Sequence, residues 1–325
     1  MMKTVSVIVL TLVGISPFNC DKNNSKMTKS SNNLVQLDAW HTIATHGEAI
    51  YVGGHEGTLA SVSLEAGIQN MVKTDLDIPY LLPQENNVIA VGRWNCSITY
   101  WQKNSEKTEQ KELLFSGRVN AVSADHSQNY IAGSNKRAPS GYQRNKDKVS
   151  LLPSEIYRLD PDRSLHKLEI NTTGTISHLL ATNSSLIFVQ DSEKNTITIV
   201  KPNGNRNEII SRSCEVKALS GKDNWLCYAT VSQVVEINLN KLESVINTPL
   251  PDKFLRILKL IKCENEIFLL TSEGVFTLSS LKKVSKHNGQ PSDITAYKEG
   301  ILILWQDGTV EFYKKGAELI TVHLN

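Results

Sequence analysis

Five basic side chains crowd into one short stretch: Lys136, Arg137, Arg144, Lys146 and Lys148, with only Asp147 in opposition. Pro139, Ser140 and Gly141 keep that stretch irregular. A basic loop of this kind suits an acidic protein surface, lipid head groups or a glycan, and the plain alternative is a solvated loop with no partner. Nucleic acid is not the expected partner, because the net charge is only +2 and Tyr142 is the one aromatic ring among the charges. His41, His46 and His55 fall close together in sequence, but a metal or catalytic role would need further ligands from elsewhere in the chain. Cys96, Cys214, Cys227 and Cys263 are dispersed, form no Cys-x-x-Cys pair and have no histidine at ligand spacing. They read as small buried hydrophobes, and zinc is not expected. No Gly-x-Ser-x-Gly elbow, P-loop or His-Glu-x-x-His occurs. Gly53-Gly54-His55-Glu56-Gly57 lies between two strand patterns, so it reads as a hairpin turn and not as a phosphate cradle. Binding is therefore the expected chemistry, with no catalytic residue, no metal and no cofactor.

The elements that must position these residues form a ladder. Seven polar turns centre near Gly47, Asn86, His126, Ser184, Lys222, Asn265 and Glu299. Each is followed by a short apolar run, such as Ala49-Ile50-Tyr51-Val52 or Ile301-Leu302-Ile303-Leu304, and then by a second polar turn. A repeat of about 40 residues with four short strands per unit marks a β-propeller. The expected fold class is all-β: a seven-bladed β-propeller of four-stranded antiparallel blades. Strand C of the first unit alternates, with Leu59, Ser61 and Ser63 on one side and Thr58, Val62 and Leu64 on the other. The second unit is read with strand C at Ser97–Trp101 and strand D at Glu112–Phe115. The fourth unit offers Thr196–Val200 before a Pro202-Asn203-Gly204 turn, the fifth Val234–Leu239 and the sixth Gly274–Leu278. In the seventh, Asp307-Gly308 before Thr309–Tyr313 is the sharpest hairpin signal in the chain. The third unit is about 18 residues longer than the others, from Ser134 to about Leu152, as a ring of equal sectors allows only when a loop grows outward. That insertion carries the five basic residues and replaces the turn between strands B and C.

Strand A of each blade lines a propeller's channel. These strands offer mainly Ile, Leu, Val, Ala and Ser, with His41, His178 and Lys259 as exceptions. Centring the fifth hairpin on Lys222 and Asp223 sets Cys227 opposite Leu219 or a near neighbour, which argues against a Cys214–Cys227 disulfide. Ala317–Leu324 can supply the last strand of blade seven, and Leu34–Leu37 can compete for that place or add outside it.

At this point the chain, over about residues 34 to 325, resembles the WD40 family of seven-bladed propellers. Asp307-Gly308 matches the family's tight turn, with Glu56-Gly57 and Glu273-Gly274 as acidic relatives. The Trp-Asp ending of strand C survives only as Tyr100-Trp101-Gln102, Tyr157-Arg158-Leu159-Asp160 and Phe312-Tyr313-Lys314, and the opening Gly-His is absent. Quinoprotein-type and other bacterial propellers stay open. The resemblance implies architecture and no particular partner.

The N-terminal end adds a second resemblance. One lysine, Lys3, precedes an apolar run from Val5 to Ile15, the length of a signal-peptide core and too short to span a bilayer. Cys20 and a polar tether through Asn33 follow. This order resembles a bacterial lipoprotein signal, which implies lipid on Cys20, although Asn19 and Pro17 stand where that signal usually has a small residue and Leu. The expected layout is a signal peptide at 1–19, a tether at 20–33 and a propeller at 34–325. The expected function is a non-enzymatic propeller that binds a protein partner or acidic surface and is held at a membrane, periplasmic or cell-surface, by acylated Cys20. An ordinary secretory signal is the alternative for the leader. A channel-site enzyme or cofactor-binding propeller, and a cytosolic WD40-type scaffold, are the alternatives for the whole.

Overall fold

A computed structural model of the chain describes residues 40–324 apart from 78, 85–86, 103–104, 106, 114, 125–127, 136–151, 192–195, 202, 211–214 and 252–255. It contains seven antiparallel sheets in chain order, each a blade. Blade 1 holds β1 (Trp40–His46), β2 (Ala49–Gly54), β3 (Thr58–Ser63) and β4 (Gly67–Lys73). Blade 2 holds β5 (Pro79–Pro83), β6 (Asn87–Gly92), β7 (Ser97–Gln102) and β8 (Thr108–Glu112). Blade 3 holds β9 (Arg118–Ala124), β10 (Asn129–Ser134), β11 (Glu155–Leu159) and β12 (Leu165–Lys167). Blade 4 holds β13 (Thr175–Thr182), β14 (Ser185–Asp191), β15 (Thr196–Val200) and β16 (Arg206–Ile210). Blade 5 holds β17 (Ala218–Lys222), β18 (Trp225–Ala229), β19 (Gln233–Asn238) and β20 (Glu243–Pro249). Blade 6 holds β21 (Ile257–Cys263), β22 (Glu266–Thr271) and β23 (Gly274–Thr277), and blade 7 holds β24 (Pro291–Tyr297), β25 (Gly300–Trp305), β26 (Thr309–Tyr313) and β27 (Ile320–His323).

Why these runs stack into a ring follows from their two-sided apolar pattern. Successive strand residues point to opposite faces. In β25 every residue is buried: Leu302 and Leu304 pack toward blade 1, while Ile301, Ile303 and Trp305 pack toward blade 6. β3 divides the same way, with Leu59 in the core shared with blade 2 and Ala60 and Val62 in the core shared with blade 7. A buried core lies at every seam between neighbouring blades, the seam between blades 7 and 1 included. Each fully buried Leu, Ile or Val contributes about 1.5–3 kcal/mol, so no blade is stable without neighbours on both sides.

The closing seam has polar clasps as well. Asp293 of β24 accepts hydrogen bonds from Thr42 Oγ1 (3.2 Å) and Ile43 N (3.0 Å) of β1 and from Lys259 Nζ (2.7 Å) of β21. Thr45 Oγ1 donates to the Ala296 carbonyl at 2.8 Å. Blade 7 is completed by the chain's own last strand, β27 pairing β26, as the sequence allows; Leu34–Leu37 lies outside the described residues.

Two strand expectations change. Strand D of blade 2 is β8, Thr108–Glu112, and not Glu112–Phe115. Leu113 and Phe115 leave the sheet edge and enter the core between blades 2 and 3, where burial outweighs edge pairing. Blade 6 has three strands; its outer edge is met by a single bridge, Phe276 to Lys283, because the chain reverses at Leu278–Leu281 directly after β23. The Asp307-Gly308 turn forms as read, with Gly308 at φ +84°, a conformation that favours glycine. Cys227 faces Ser220, one place from Leu219, and is a buried free thiol, as is Cys263; Cys96 is buried too.

Candidate interaction face

All seven A strands begin at the ring face that carries the B–C turns, and they line a channel. One cavity of about 590 Å³ at that mouth is bounded by every A strand, from β1 to β24, together with Arg93 from the B–C turn of blade 2. His41, Tyr80, Asn120, His178, Lys259 and Asp293 supply its polar lining.

Most of these polar groups are already engaged. Lys259 is paired with Asp293. His178 meets Ser177 Oγ (3.1 Å) through Nδ1 and the Lys217 carbonyl (3.1 Å) through Nε2. Asn120 donates from Nδ2 to Ser134 Oγ (2.8 Å) and Ser154 Oγ (2.9 Å), and Ser154 Oγ in turn accepts the Ile176 amide at 2.8 Å. Among the described residues, no three His, Cys, Asp or Glu side chains are grouped as metal ligands.

The sequence candidates separate. His41 and His55 meet on the B–C face with ring centroids 5.6 Å apart. His46 stands at the opposite end of β1, beside the A–B turns of the channel. Burial, and then the neighbouring His55, hold the His41 imidazole below its ordinary value of 6.5. Cys20, Lys136, Arg137, Arg144, Lys146 and Lys148 lie outside the described residues. The two stems of the basic insertion are described, and they are fixed on the B–C face. Ser134 and Ser154 are buried and hydrogen-bonded to each other at 2.9 Å, and the Leu152 amide donates to the Asn135 carbonyl at 3.0 Å. Ser134 pairs Arg118 across the sheet.

Three residues that sequence reasoning passed over stand beside those stems. Trp94, in the B–C turn of blade 2, is 55% exposed, a high value for an indole. The guanidinium carbons of Arg93 and of Arg118, the first residue of β9, lie 5.5 and 5.7 Å from its ring centroid. Such contacts hold the charges in place against an aromatic quadrupole. Asp77 accepts the Trp94 amide at 2.6 Å and so fixes the turn. Tyr80, below them, donates to the Asn120 carbonyl at 3.0 Å. Burial raises its phenol pKa while Arg93 and Arg118 oppose that shift, so both cations sense the same site. The available signal was an Arg-Trp pair in a polar turn, where a large apolar ring has no core to fill.

Of the eight exposed large apolar side chains among the described residues, Trp94, Leu152, Val231 and Leu258 lie on the B–C face or its channel mouth, and Met71, Ile246 and Ile320 lie on the outer strands β4, β20 and β27. The A–B face carries Trp225, which Lys262 covers at 5.1 Å.

No family model matches the chain, and no curated protein matches it. Solved structures do. The computationally designed Ika8 protein aligns with a TM-score of 0.59 at 11% identity, over 88% of this chain and 86% of that one. The Pan2 WD40 domain of Neurospora crassa aligns with a TM-score of 0.61 at 11% identity, over 84% of this chain and 87% of the other. At such identity the likeness shows the fold. The chain is an all-β propeller of seven blades. In that architecture it is similar to the Pan2 WD40 domain.

Proposed function

We propose that this propeller is a non-enzymatic interaction platform, and that its docking surface is the face bearing the B–C turns. The observation that carries the reading is the concentration of exposed Trp94, Leu152, Val231 and Leu258 on that face, with Arg93 and Arg118 beside them. Tryptophan and arginine are the side chains that most often dominate protein interfaces. The engaged state of His178, Lys259 and Asn120 supports binding over channel catalysis. Ser134, Asn135, Leu152 and Ser154, which flank the basic insertion, lie on the same face, and this supports counting Lys136, Arg137, Arg144, Lys146 and Lys148 with the proposed platform by sequence position.

Export and lipid attachment through Cys20 complete the proposal and rest on the leader sequence. Among the described residues, no helix is long and apolar enough to cross a membrane. Intact-mass spectrometry of the mature protein tests it: a diacylglyceryl Cys20 at the N-terminus is expected, and an intact Met1 would contradict it. Capture from native membranes tests the docking face. The partner recovered with the native chain should be lost with Trp94→Ser and Val231→Ser together and kept with Trp225→Ser; the reverse pattern would contradict the proposed face.

A further inference from the structure

Two guanidinium groups at the channel mouth have no acid in contact with them among the described residues. The Nε of Arg93 is buried and has no hydrogen-bond partner. Arg118 commits its Nε to Asn120 Oδ1 at 2.7 Å, which leaves its terminal nitrogens for another acceptor. The two come from different blades and are brought together over the Trp94 ring. Asp77, which acts on Tyr80 together with the two arginines, spends one oxygen on the Trp94 amide, and its other oxygen is buried without a partner. The cluster therefore keeps a surplus positive charge. Arginine presents its donors as a planar fork that fits a carboxylate with two parallel bonds, which lysine cannot do.

We infer that Arg93 and Arg118 bind carboxylate side chains of an acidic peptide segment in a partner protein, with Trp94 as the apolar anchor between them. The inference rests on the proposed docking face and gives its partner a chemistry. A peptide fits better than a free small anion because exposed Leu258, on β21 of blade 6, lines the same channel-mouth cavity as Arg93 and offers apolar contact beyond the arginine pair. Charge complementarity supplies orientation and fast encounter, and the apolar side chains supply residence.

The test uses the full chain and a fluorescein-labelled deca-glutamate peptide, followed by fluorescence anisotropy. Saturable binding that weakens as salt is raised is expected. Arg93→Gln should weaken it by about tenfold, and Arg93→Lys should fail to restore it, because the fork is lost even though the charge is kept. Trp94→Ala should weaken it with little change in salt dependence. A deca-lysine peptide should not bind, and inorganic phosphate should not displace the glutamate peptide. Binding that is unchanged in Arg93→Gln would place the acidic site elsewhere and overturn the inference. Displacement by phosphate would overturn it in favour of a small-anion site. Arg118→Gln also removes the support of Asn120, so its effect counts only if its thermal midpoint matches that of the native chain. If the peptide fails to bind while membrane capture still depends on Trp94 and Val231, the docking face stands and its partner is not acidic. If capture also fails to depend on them, the docking face itself is wrong.

Discussion

At the scale of single residues, burial decides most of the chemistry. The Cys227 thiol is pushed up to about 12, first by burial and then by the Glu236 carboxylate. A thiol in that state is not a nucleophile near neutral pH. Iodoacetamide at pH 8, read by peptide mass mapping, should leave Cys227 unmodified in the folded chain and alkylate it in denaturant; rapid labelling of the folded chain would contradict its placement. His41 makes a signed prediction about stability. Its imidazole is held below 6.5 when folded, so between the lowered value and 6.5 the unfolded chain binds more protons than the folded one. Its contribution to stability is therefore complete above 6.5 and declines as pH falls through the lowered value. Urea midpoints should drop less between pH 7 and about pH 5 in His41→Gln than in the native chain; parallel curves would refute it. The sequence marked His41 as inward-facing, but its meeting with His55 was not legible, since one sits on an A strand and the other in a B–C turn. The same holds for Arg93 and Arg118, whose approach depends on how two blades pack.

At the scale of elements, the inner strands were legible and the outer ones less so. Strands such as β19 and β25 are apolar on both faces because both faces are buried at seams, and that pattern shows in the sequence. Strand β8, by contrast, is Thr-Glu-Gln-Lys-Glu and exposed throughout, so only backbone pairing with β7 defines it. Apolar Leu113 and Phe115 drew the sequence reading a few residues too far along. That blade 6 lacks a fourth strand was not legible for the same reason, since edge strands leave a weak apolar signal and its absence changes the pattern little. The closing seam yields its own prediction. Asp293 holds β1 and β21 through Thr42, Ile43 and Lys259, and it is buried. Asp293→Ala leaves the Ile43 amide without its acceptor and should cost about 2–4 kcal/mol, read as a fall in the denaturant midpoint. A loss below about 0.5 kcal/mol would show that the apolar core alone closes the ring.

At the scale of the whole molecule, the repeat count and the long B–C connection of the third unit were legible, because equal sectors impose equal spacing, whereas the sequence left two candidates for the last strand of blade 7, of which Ala317–Leu324 supplies β27. What the spacing could not show is which face of the ring is used. That asymmetry emerges only in three dimensions, from Trp94, Leu152, Val231 and Leu258 on one side and a Lys262-covered Trp225 on the other. The two tryptophans give the most direct comparison of the faces. A photo-crosslinking amino acid is placed at position 94 in one protein and at position 225 in another, both are irradiated in native membranes, and the adducts are compared. A discrete protein adduct is expected from position 94, lost with Arg93→Gln, and none from position 225. Adducts from position 225 alone, or equal adducts from both faces, would contradict the proposed docking face.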